Sequence, residues 1–309
     1  MIDLCLPSTA ISDRAAVAAP DLKVAERSVV WEGSEPPAEL SDIRFWVPTF
    51  LHSDPAAASA AIAAMPELHV IQTQTAGVDA FISIVPAGVT LCDARGVHGS
   101  STSEWALTAM LSVLREFPRF EMARVDRRWD YAITDELAGK RVLIIGAGDV
   151  GTQLGRRVTA CDAVPTLVGR TARDGVHGMA ELPQLLGEAD VVVLIVPKTS
   201  ETTGMVDAQF LARMRDGALL VNAARGPVLR TDDLLAELQS GRLRAALDVT
   251  DPEPLPSDHP LWNAPNLLLT PHVAGSVLGF GTRVVSLIVE QVRRFDAGEP
   301  LLNVVTGEY

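Results

Sequence analysis

Charged side chains directly follow short apolar runs at three places in the second half of the chain. Arg225 and His272 each follow such a run, and a third run is followed by three carboxylates, those of Asp248, Asp251 and Glu253. An arginine can hold a carboxylate through two parallel hydrogen bonds, and an imidazole beside an acid can donate and accept a proton. These residue types suit the binding of a small anion and acid–base chemistry on it.

A glycine-rich segment indicates a second kind of site. The apolar run 142–145 leads directly into the spacing GxGxxG, and residues 152–159 continue as a helix. In this context the first glycine allows a tight turn, the second lets the backbone approach a pyrophosphate, and the third lets helix and strand pack closely. The helix N-terminus favours anions. We therefore predict a dinucleotide-binding turn, with a glycine-rich loop that binds no ligand as the alternative. Its residues are Gly146, Gly148, Asp149, Val150 and Gly151.

The next apolar run ends without the acid that sites for NAD place there. The sequence at this point is Val168, Gly169, Arg170 and Thr171, with Arg173 close by. In NAD enzymes an acid about 20 residues after the glycines binds the adenosine ribose hydroxyls. A guanidinium beside the missing acid could instead hold the 2′-phosphate of NADP. We expect a preference for NADP(H), with NAD(H) possible; the alternative is a solvated arginine at a strand end.

Short apolar runs alternate with helical patterns along the chain, and these elements must position the groups above. The runs before residue 96 are residues 2–6, 28–31, 43–47, 68–72 and 89–92. The runs after residue 140 are residues 142–145, 166–168, 191–196, 218–221, 245–247 and 267–269. Runs that are apolar on both faces indicate parallel strands covered by helices on both sides. We predict an α/β protein with a Rossmann doubly wound parallel sheet and a smaller parallel α/β domain.

Four further segments complete the predicted elements. An alanine-rich helix over 56–64 should begin at the cap and proline of 53–55. Residues 101–128 predict one long amphipathic segment interrupted by Pro118. Residues 276–297 predict another long helix, and the apolar tail that follows should form a strand or pack down. Because the first domain lacks a last covering element, we expect the chain to return to it at the end.

Composition and charge exclude several classes of protein. The 309 residues favour two domains, and 26 Lys and Arg against 39 Asp and Glu give a formal net charge of −13, which repels nucleic acid and anionic lipid. No apolar stretch reaches the ~18 residues of a membrane span, and the first residues lack a signal-peptide pattern, so we expect a cytoplasmic protein. Cys5, Cys92 and Cys161 have no metal-ligand spacing, which predicts reduced thiols and no metal site.

Over nearly the whole chain, the motifs resemble those of the D-isomer-specific 2-hydroxyacid dehydrogenase family. They are QTQTAGVD, GAGDVG, VPKTSETTGMV, NAARGPV, LDVTDPEPLP and HPLWNAPNLLLTPHVAG. The resemblance implies a discontinuous, flavodoxin-like α/β substrate domain of residues 1–96 and 276–309, a Rossmann domain of residues 97–275, and a cleft that closes on substrate. It also implies homodimers built around the long helix that opens the cofactor domain.

The family's roles carry over position by position. Arg225 matches the arginine that binds the carboxylate and carbonyl of a 2-keto acid, His272 the proton donor and acceptor, and Glu253 its acidic partner. Asp251 remains an alternative partner. The resemblance thus implies hydride transfer between nicotinamide C4 and a 2-keto or 2-hydroxy acid. The backbone amides that match a substrate carboxylate site are those of Ala76 and Gly77. The positions that match cofactor-lining residues are Thr102, Pro197, Thr202, Ala223, Asp248 and Gly275.

The motifs do not decide the role of Arg230, the identity of the substrate or the choice between alternative functions. Arg230 stands where the family more often has an acid, and nothing in the sequence explains it. The apolar stretch WVPTFL suggests room for an apolar substrate tail. Substrate choice should depend on small-domain residues and one loop residue, namely Phe50, Leu51, His52, Ala76, His98 and Trp262, although His98 could be a packing residue instead. A dinucleotide-sensing corepressor and a phosphite dehydrogenase are the alternative functions.

Overall fold

The chain forms two α/β units, each built around its own parallel sheet. Unit 1 contains Met1–His98 and Leu278–Tyr309, and unit 2 contains Gly99–Val277. The computed structural model describes residues 2–33, 35–49 and 54–307. Within the described residues, no helix combines the length and apolarity that crossing a bilayer requires. The two predicted α/β architectures are confirmed.

The sheet of unit 1 has five parallel strands in the order β2-β1-β3-β4-β5. The strands are β1 Leu4–Leu6, β2 Ser28–Val30, β3 Phe45–Trp46, β4 Val70–Gln72 and β5 Thr90–Cys92. The helices of this unit are α1 Thr9–Ala18, α2 Val24–Arg27, α3 Pro55–Ala63 and α10 Phe280–Ala297. This strand order is the flavodoxin-like one, and each strand lies inside a run predicted from the sequence.

The alanine-rich helix α3 begins as its sequence predicts. The side chain of Asp54 accepts a hydrogen bond from the backbone N–H of Ala57, and Pro55 is the first helical residue. A proline fits there because the first helical N–H has no partner within the helix. Ser53, the other residue of the predicted start, lies outside the described residues.

The chain returns to unit 1 through α10, which supplies the missing cover. One face of α10 is buried in the core of this unit; its buried apolar residues are Val284, Val285, Ile288, Val289 and Val292. The tail beyond α10 packs down, with an antiparallel bridge between Val304 and Cys92. The helix begins at Phe280, later than the predicted residue 276, because the preceding residues form turns, one of them closed by Ser276 N–H on Val273 O.

The sheet of unit 2 has seven parallel strands in the order β12-β11-β10-β9-β6-β7-β8. The strands are β6 Arg141–Ile145, β7 Val164–Gly169, β8 His177–Gly178, β9 Val191–Leu194, β10 Leu219–Asn222, β11 Arg244–Leu247 and β12 Leu267–Leu269. The helices are α4 Gly99–Leu114, α5 Phe117–Val125, α6 Asp149–Ala160, α7 Leu182–Leu186, α8 Ala208–Arg213 and α9 Thr231–Gln239. This is a Rossmann order with one extra edge strand, and it confirms the doubly wound sheet.

The predicted long segment over residues 101–128 is two helices, and the break does not lie at its proline. Helix α4 ends at Leu114, and Glu116 adopts a left-handed conformation with φ of +52°. Pro118 lies in the first turn of α5. Since the first turn of a helix needs no internal N–H donor, the proline fits there and the chain turns before it.

Candidate active site

The glycine-rich turn joins β6 to α6, and two of its glycines have no room for a side chain. Gly146 has a φ of +118°, and an added Cβ would overlap the carbonyl oxygen of Ile195. At Gly151, an added Cβ would overlap the carbonyl oxygen of Gly146. Gly148, by contrast, faces open space and begins α6 without a side-chain cap. The turn therefore leaves backbone N–H groups accessible to a pyrophosphate, as a dinucleotide site requires.

The end of β7 carries two arginines near this turn. Arg173 Nη2 donates a hydrogen bond of 2.8 Å to the carbonyl oxygen of Ala147, inside the glycine-rich turn. Arg170 is exposed and forms a salt bridge of 3.1 Å with Glu201, in the loop after β9. Gly169 is buried, and an added Cβ would lie 2.9 Å from Arg173 Nη1. The structure thus brings two guanidinium groups to the strand end where the expected acid is missing, with Thr171 exposed beside them.

The loop after β9 is held by its own threonines. Thr202 Oγ1 donates to the carbonyl oxygen of Pro197 at 2.7 Å and accepts from the Thr199 N–H at 2.8 Å. Ala223 lies directly after β10, and its N–H bonds the carbonyl oxygen of Leu194. These contacts place the predicted cofactor-lining residues Pro197, Thr202 and Ala223 at the carboxyl edge of the sheet. Two further predicted positions are half-buried, Thr102 in α4 and Gly275 in the turns before α10.

Arg225 lies in a turn that Asn222 holds in place. The side chain of Asn222 is fully buried, accepts from the Ala224 N–H at 3.0 Å and donates to the Arg225 carbonyl oxygen at 3.2 Å. Arg225 Nη1 donates to the carbonyl oxygen of Ala224 at 2.8 Å. An added Cβ on Gly226 would overlap the carbonyl oxygen of Thr250, so this turn packs directly on the loop after β11. These contacts therefore hold the backbone that carries the Arg225 side chain in one conformation.

His272 lies on a turn organised by the carboxylate of Asp248. This carboxylate is 2% exposed and accepts three hydrogen bonds, from Thr270 Oγ1 at 2.6 Å and from the N–H groups of Val273 at 2.9 Å and Ala274 at 2.8 Å. The His272 N–H bonds the Asp248 carbonyl oxygen at 2.7 Å. The histidine has a φ of +53°, a left-handed conformation that is uncommon for non-glycine residues, and these hydrogen bonds hold the turn in which it lies.

The structure pairs His272 with Glu253. His272 Nδ1 lies 2.5 Å from Glu253 Oε1, and the two side chains are 48% and 40% exposed. Of the two candidate partners, Glu253 is the one in contact with the imidazole; the contact shown for Asp251 is made by its carbonyl oxygen, which accepts from Thr231. With Nδ1 occupied, Nε2 is the nitrogen available for a substrate.

Arginine, acid and histidine meet at one edge of the sheet because their strands are adjacent and in register. Asn222 at the end of β10 pairs with Leu247 of β11, which in turn pairs with Leu269 of β12. Arg225, Asp248 and His272 follow these three ends. Ligand sites of open parallel sheets lie at the carboxyl ends of the strands. No cluster of potential metal ligands occurs in the described parts of the chain.

The remaining predicted positions belong to unit 1. Ala76 and Gly77 follow β4 in a turn where Thr75 Oγ1 donates to the Gly77 carbonyl oxygen at 2.6 Å. His98 Nε2 lies 2.8 Å from the Gln74 carbonyl oxygen, and its ring stacks on Phe280 at 5.3 Å, as expected of a packing histidine. The predicted specificity residues Phe50, Leu51 and His52 lie outside the described residues.

The expectation of an apolar substrate tail loses its support. Trp46 and Val47, the first residues of the apolar stretch WVPTFL, are almost completely buried in the core of unit 1. Core packing therefore accounts for their apolar character, and they do not indicate an apolar substrate tail. Trp262, in unit 2, is half exposed and donates from Nε1 to the Pro256 carbonyl oxygen at 2.7 Å. Arg230 begins α9 beside Gly204, and nothing in the structure explains the choice of arginine there.

Sequence reasoning missed two residues that shape this site. Asn222 belongs to the motif NAARGPV, and a polar residue at the end of a buried strand is a signal for a side chain that bonds the following turn. Glu201 gave no signal, because an exposed glutamate in a loop is ordinary. Only the structure shows that it lies against Arg170.

The sequence matches one family over more than half of its length. The family described as "D-isomer specific 2-hydroxyacid dehydrogenase, NAD binding domain" matches residues 107–274. A glyoxylate/hydroxypyruvate reductase A of Serratia proteamaculans is 32% identical over 244 residues, covering 74% of this chain and 77% of that protein.

Solved structures agree with this match over both units. A D-isomer specific 2-hydroxyacid dehydrogenase from Xanthobacter autotrophicus Py2, in complex with NADPH and MES, is 30% identical with a TM-score of 0.83 and 98% coverage of both chains. An NADPH-dependent glyoxylate/hydroxypyruvate reductase from Sinorhizobium meliloti, in complex with NADP and sulfate, is 26% identical with a TM-score of 0.86 and full coverage of both chains. The resemblance inferred from the motifs is confirmed: the chain belongs to the D-isomer specific 2-hydroxyacid dehydrogenase family and is an oxidoreductase.

Proposed function

We propose that this protein is an NADP(H)-preferring reductase of small 2-keto acids, of the size of glyoxylate and hydroxypyruvate, and that it forms the D-2-hydroxy acid. The observation that carries the proposal is the His272–Glu253 pair, which lies on the same sheet edge as Arg225 and the glycine-rich turn. Relatives described as glyoxylate/hydroxypyruvate reductases support the substrate class. They favour a reductase over the dinucleotide-sensing and phosphite-oxidising alternatives.

Each side chain of the site has a role that its chemistry supports. The Arg225 guanidinium holds the substrate carboxylate and polarises the reacting carbonyl, because its planar fork matches two oxygen acceptors. His272 donates a proton from Nε2 to the carbonyl oxygen as that oxygen gains negative charge. Glu253 holds Nδ1 and so fixes the orientation of the ring. When bound, the cofactor supplies the hydride.

Unit 1 is proposed as the substrate domain and unit 2 as the cofactor domain. The family resemblance assigns the backbone amides of Ala76 and Gly77 to the binding of the substrate carboxylate. Their turn is ordered by the Thr75 hydroxyl, which supports a fixed direction for these amides. In unit 2 the glycine-rich turn fits a pyrophosphate, since Gly148 faces open space while its two partner glycines allow close backbone packing.

The preference for NADP(H) is proposed from the end of β7. Gly169 provides no carboxylate to bind the ribose hydroxyls or to repel a phosphate. Arg170 and Arg173 lie at this point, and Thr171 adds a hydroxyl. Charge-assisted hydrogen bonds are worth about 1.5 to 3 kcal/mol, which corresponds to a roughly 10- to 150-fold preference for NADPH over NADH. Relatives solved with NADPH or NADP support this assignment.

A homodimer is the proposed assembly, with α4 and the segment after it at the interface between two copies. The part of the chain that begins at α5 exposes large apolar side chains that a monomer has no reason to show to water. They are Phe117, Met122, Val125, Trp129, Tyr131 and Ile133. Light scattering coupled to size-exclusion chromatography tests this, and a mass near 33.0 kDa at micromolar concentration would contradict it.

A cytoplasmic location is proposed from the three cysteines, all of them free thiols.

The reaction itself is tested by loss of NADPH absorbance with glyoxylate, hydroxypyruvate and phenylpyruvate as substrates. We expect turnover with the first two acids, D-configured products, and higher kcat/KM with NADPH than with NADH. His272→Ala should lower kcat by about 100-fold or more with NADPH binding retained, which is the usual contribution of acid–base catalysis. Arg225→Lys should raise KM for the keto acid and lower kcat, because lysine cannot form the two parallel hydrogen bonds. Full activity of either variant would contradict its assigned role.

A further inference from the structure

An ion pair connects two loops of the candidate cofactor site. Arg170, after β7, donates from Nε and binds through Nη2 to the same oxygen, Oε2 of Glu201, at 3.2 Å and 3.1 Å. The side chains are 58% and 67% exposed, so both are accessible to a ligand from solvent. The guanidinium assigned to the 2′-phosphate of NADP is thus held by an anion of the protein itself.

The strand order places this ion pair over the glycine-rich turn. Strands β7 and β9 are the two neighbours of β6, whose carboxyl end carries the turn that begins at Gly146. A contact between a residue after β7 and a residue after β9 must cross that end. A dinucleotide in this fold follows the same line, with its pyrophosphate on the central turn and its adenosine towards the second strand. On this line, the adenosine end of a bound dinucleotide would lie beside Glu201.

We propose that Glu201 is a specificity-determining residue that competes with the 2′-phosphate of NADP for Arg170. This inference rests on the NADP(H) assignment of the proposed function. Without dinucleotide, the Glu201 carboxylate is paired with the Arg170 guanidinium. When NADP(H) binds, its 2′-phosphate must displace this carboxylate from the guanidinium. If the carboxylate stays near, the two anions repel each other. NADH has no phosphate at this point and does not need the exchange. Glu201 thus lowers the preference for NADPH over NADH that Arg170 creates.

The geometry sets the size of the effect. An exposed ion pair contributes little to stability because water and salt screen it. The expected gain in NADPH affinity on removing the glutamate charge is therefore roughly two- to five-fold, the range of exposed pairs. Loss of the arginine should cost roughly 10-fold or more in NADPH affinity, because a charge-assisted phosphate contact is stronger.

The test measures binding rather than turnover, on the full chain. Titration calorimetry with 2′,5′-ADP and with 5′-AMP isolates the adenosine end, and fluorescence titration with NADPH and NADH reports the whole cofactor. The variants are Glu201→Gln, Arg170→Ala and the double variant. A matched control is Glu188→Gln, because Glu188 also forms an exposed salt bridge of 2.9 Å, with Arg141, but at the amino end of the sheet. Thermal melting confirms that each variant is folded.

We expect Glu201→Gln to bind NADPH and 2′,5′-ADP two- to five-fold more tightly than the unaltered protein does. Its affinities for NADH and 5′-AMP should change by less than two-fold. This gain should disappear when Arg170 is already alanine, and the control should change nothing. Unchanged or weaker NADPH binding by Glu201→Gln would overturn the proposal, as would a gain that persists in full without Arg170. The two proposals fail separately: if the unaltered protein binds NADPH no more tightly than NADH, the NADP(H) assignment itself is wrong, whatever Glu201→Gln does.

Discussion

The turn that carries His272 depends on one buried carboxylate, and Asp248→Asn tests that dependence. Asp248 accepts from Thr270 Oγ1, from the Val273 N–H and from the Ala274 N–H, and its Oδ1 and Oδ2 atoms are both used. Asparagine has nearly the same shape but only one acceptor oxygen. Its NH₂ group would face at least one of these three donors, and that donor would lose its acceptor.

The size of the effect follows from these contacts. A buried donor left without an acceptor costs about 1 to 3 kcal/mol, so we take about 2 kcal/mol for the variant. For a unit of this size that corresponds to a fall in Tm of about 4 to 8 °C. The turn also sets the position of the imidazole, and a displacement of about 1 Å in a catalytic group can lower the rate by about 100-fold. We therefore expect kcat to fall far more than the modest loss of stability suggests.

The assay compares kcat, Tm and the Kd of NADPH for this variant and a control. The control is Asp207→Ala, because the Asp207 side chain accepts from the Phe210 N–H at 2.9 Å and caps α8 in the same unit. Losing that cap costs about 1 kcal/mol without moving His272, so kcat should stay normal. The family resemblance gives Asp248 a cofactor-lining role instead. If kcat of Asp248→Asn falls only as far as NADPH binding falls, that role explains the result and the reasoning from the turn is refuted.

Three other outcomes follow from contacts described above or shown by the structure. Glu253→Gln weakens the bond that orients the catalytic imidazole, and kcat should fall about 10-fold, the rate equivalent of about 1.4 kcal/mol, with little change in KM; an unchanged kcat would remove Glu253 from the site. Burial raises the pKa of Cys5 to about 12 and of Cys92 to about 11, so a disulfide reagent at pH 8 should modify only the half-buried Cys161 in native protein and three thiols after denaturation. The Gln291 amide donates to Gln72 Oε1 and to the Leu302 carbonyl oxygen, and it accepts from the Leu302 N–H. Gln291→Leu leaves these groups unpaired and should destabilise the protein by roughly 2 to 4 kcal/mol. Unaltered stability, and an unaltered rate of proteolysis at residues 299–307, would contradict this.

Local sequence patterns predicted most strands of the two sheets, because all the strands except β8 coincide with short apolar runs. The strand that the pattern missed is β8, His177–Gly178, whose two residues at the sheet edge have no apolar periodicity. The break between α4 and α5 was misplaced for a related reason. Proline is the visible helix breaker, yet the residue that turns the chain is Glu116, whose left-handed backbone has no signature in a side-chain pattern.

The candidate site was predictable in its residue types but not in its contacts. The acid after β11 that contacts His272 could have been either of two residues two positions apart, and the fold of the loop decides for Glu253. The roles of Asn222 and Glu201 depend on turns and on neighbouring strands that are distant in sequence. Such contacts depend on the tertiary arrangement, so no local pattern contains them.

The split of unit 1 between the two ends of the chain determines the order in which the protein can fold during synthesis. The first 98 residues leave the ribosome with one face of their sheet only partly covered, because α1 and α2 pack on that face but α10 lies near the other end. At about 5 to 20 residues per second, about 10 to 40 seconds pass before that helix is made. Unit 2 is continuous and is complete first. The core of unit 1 can therefore be completed only after unit 2 has been made, which reverses the usual order from the N-terminus onward.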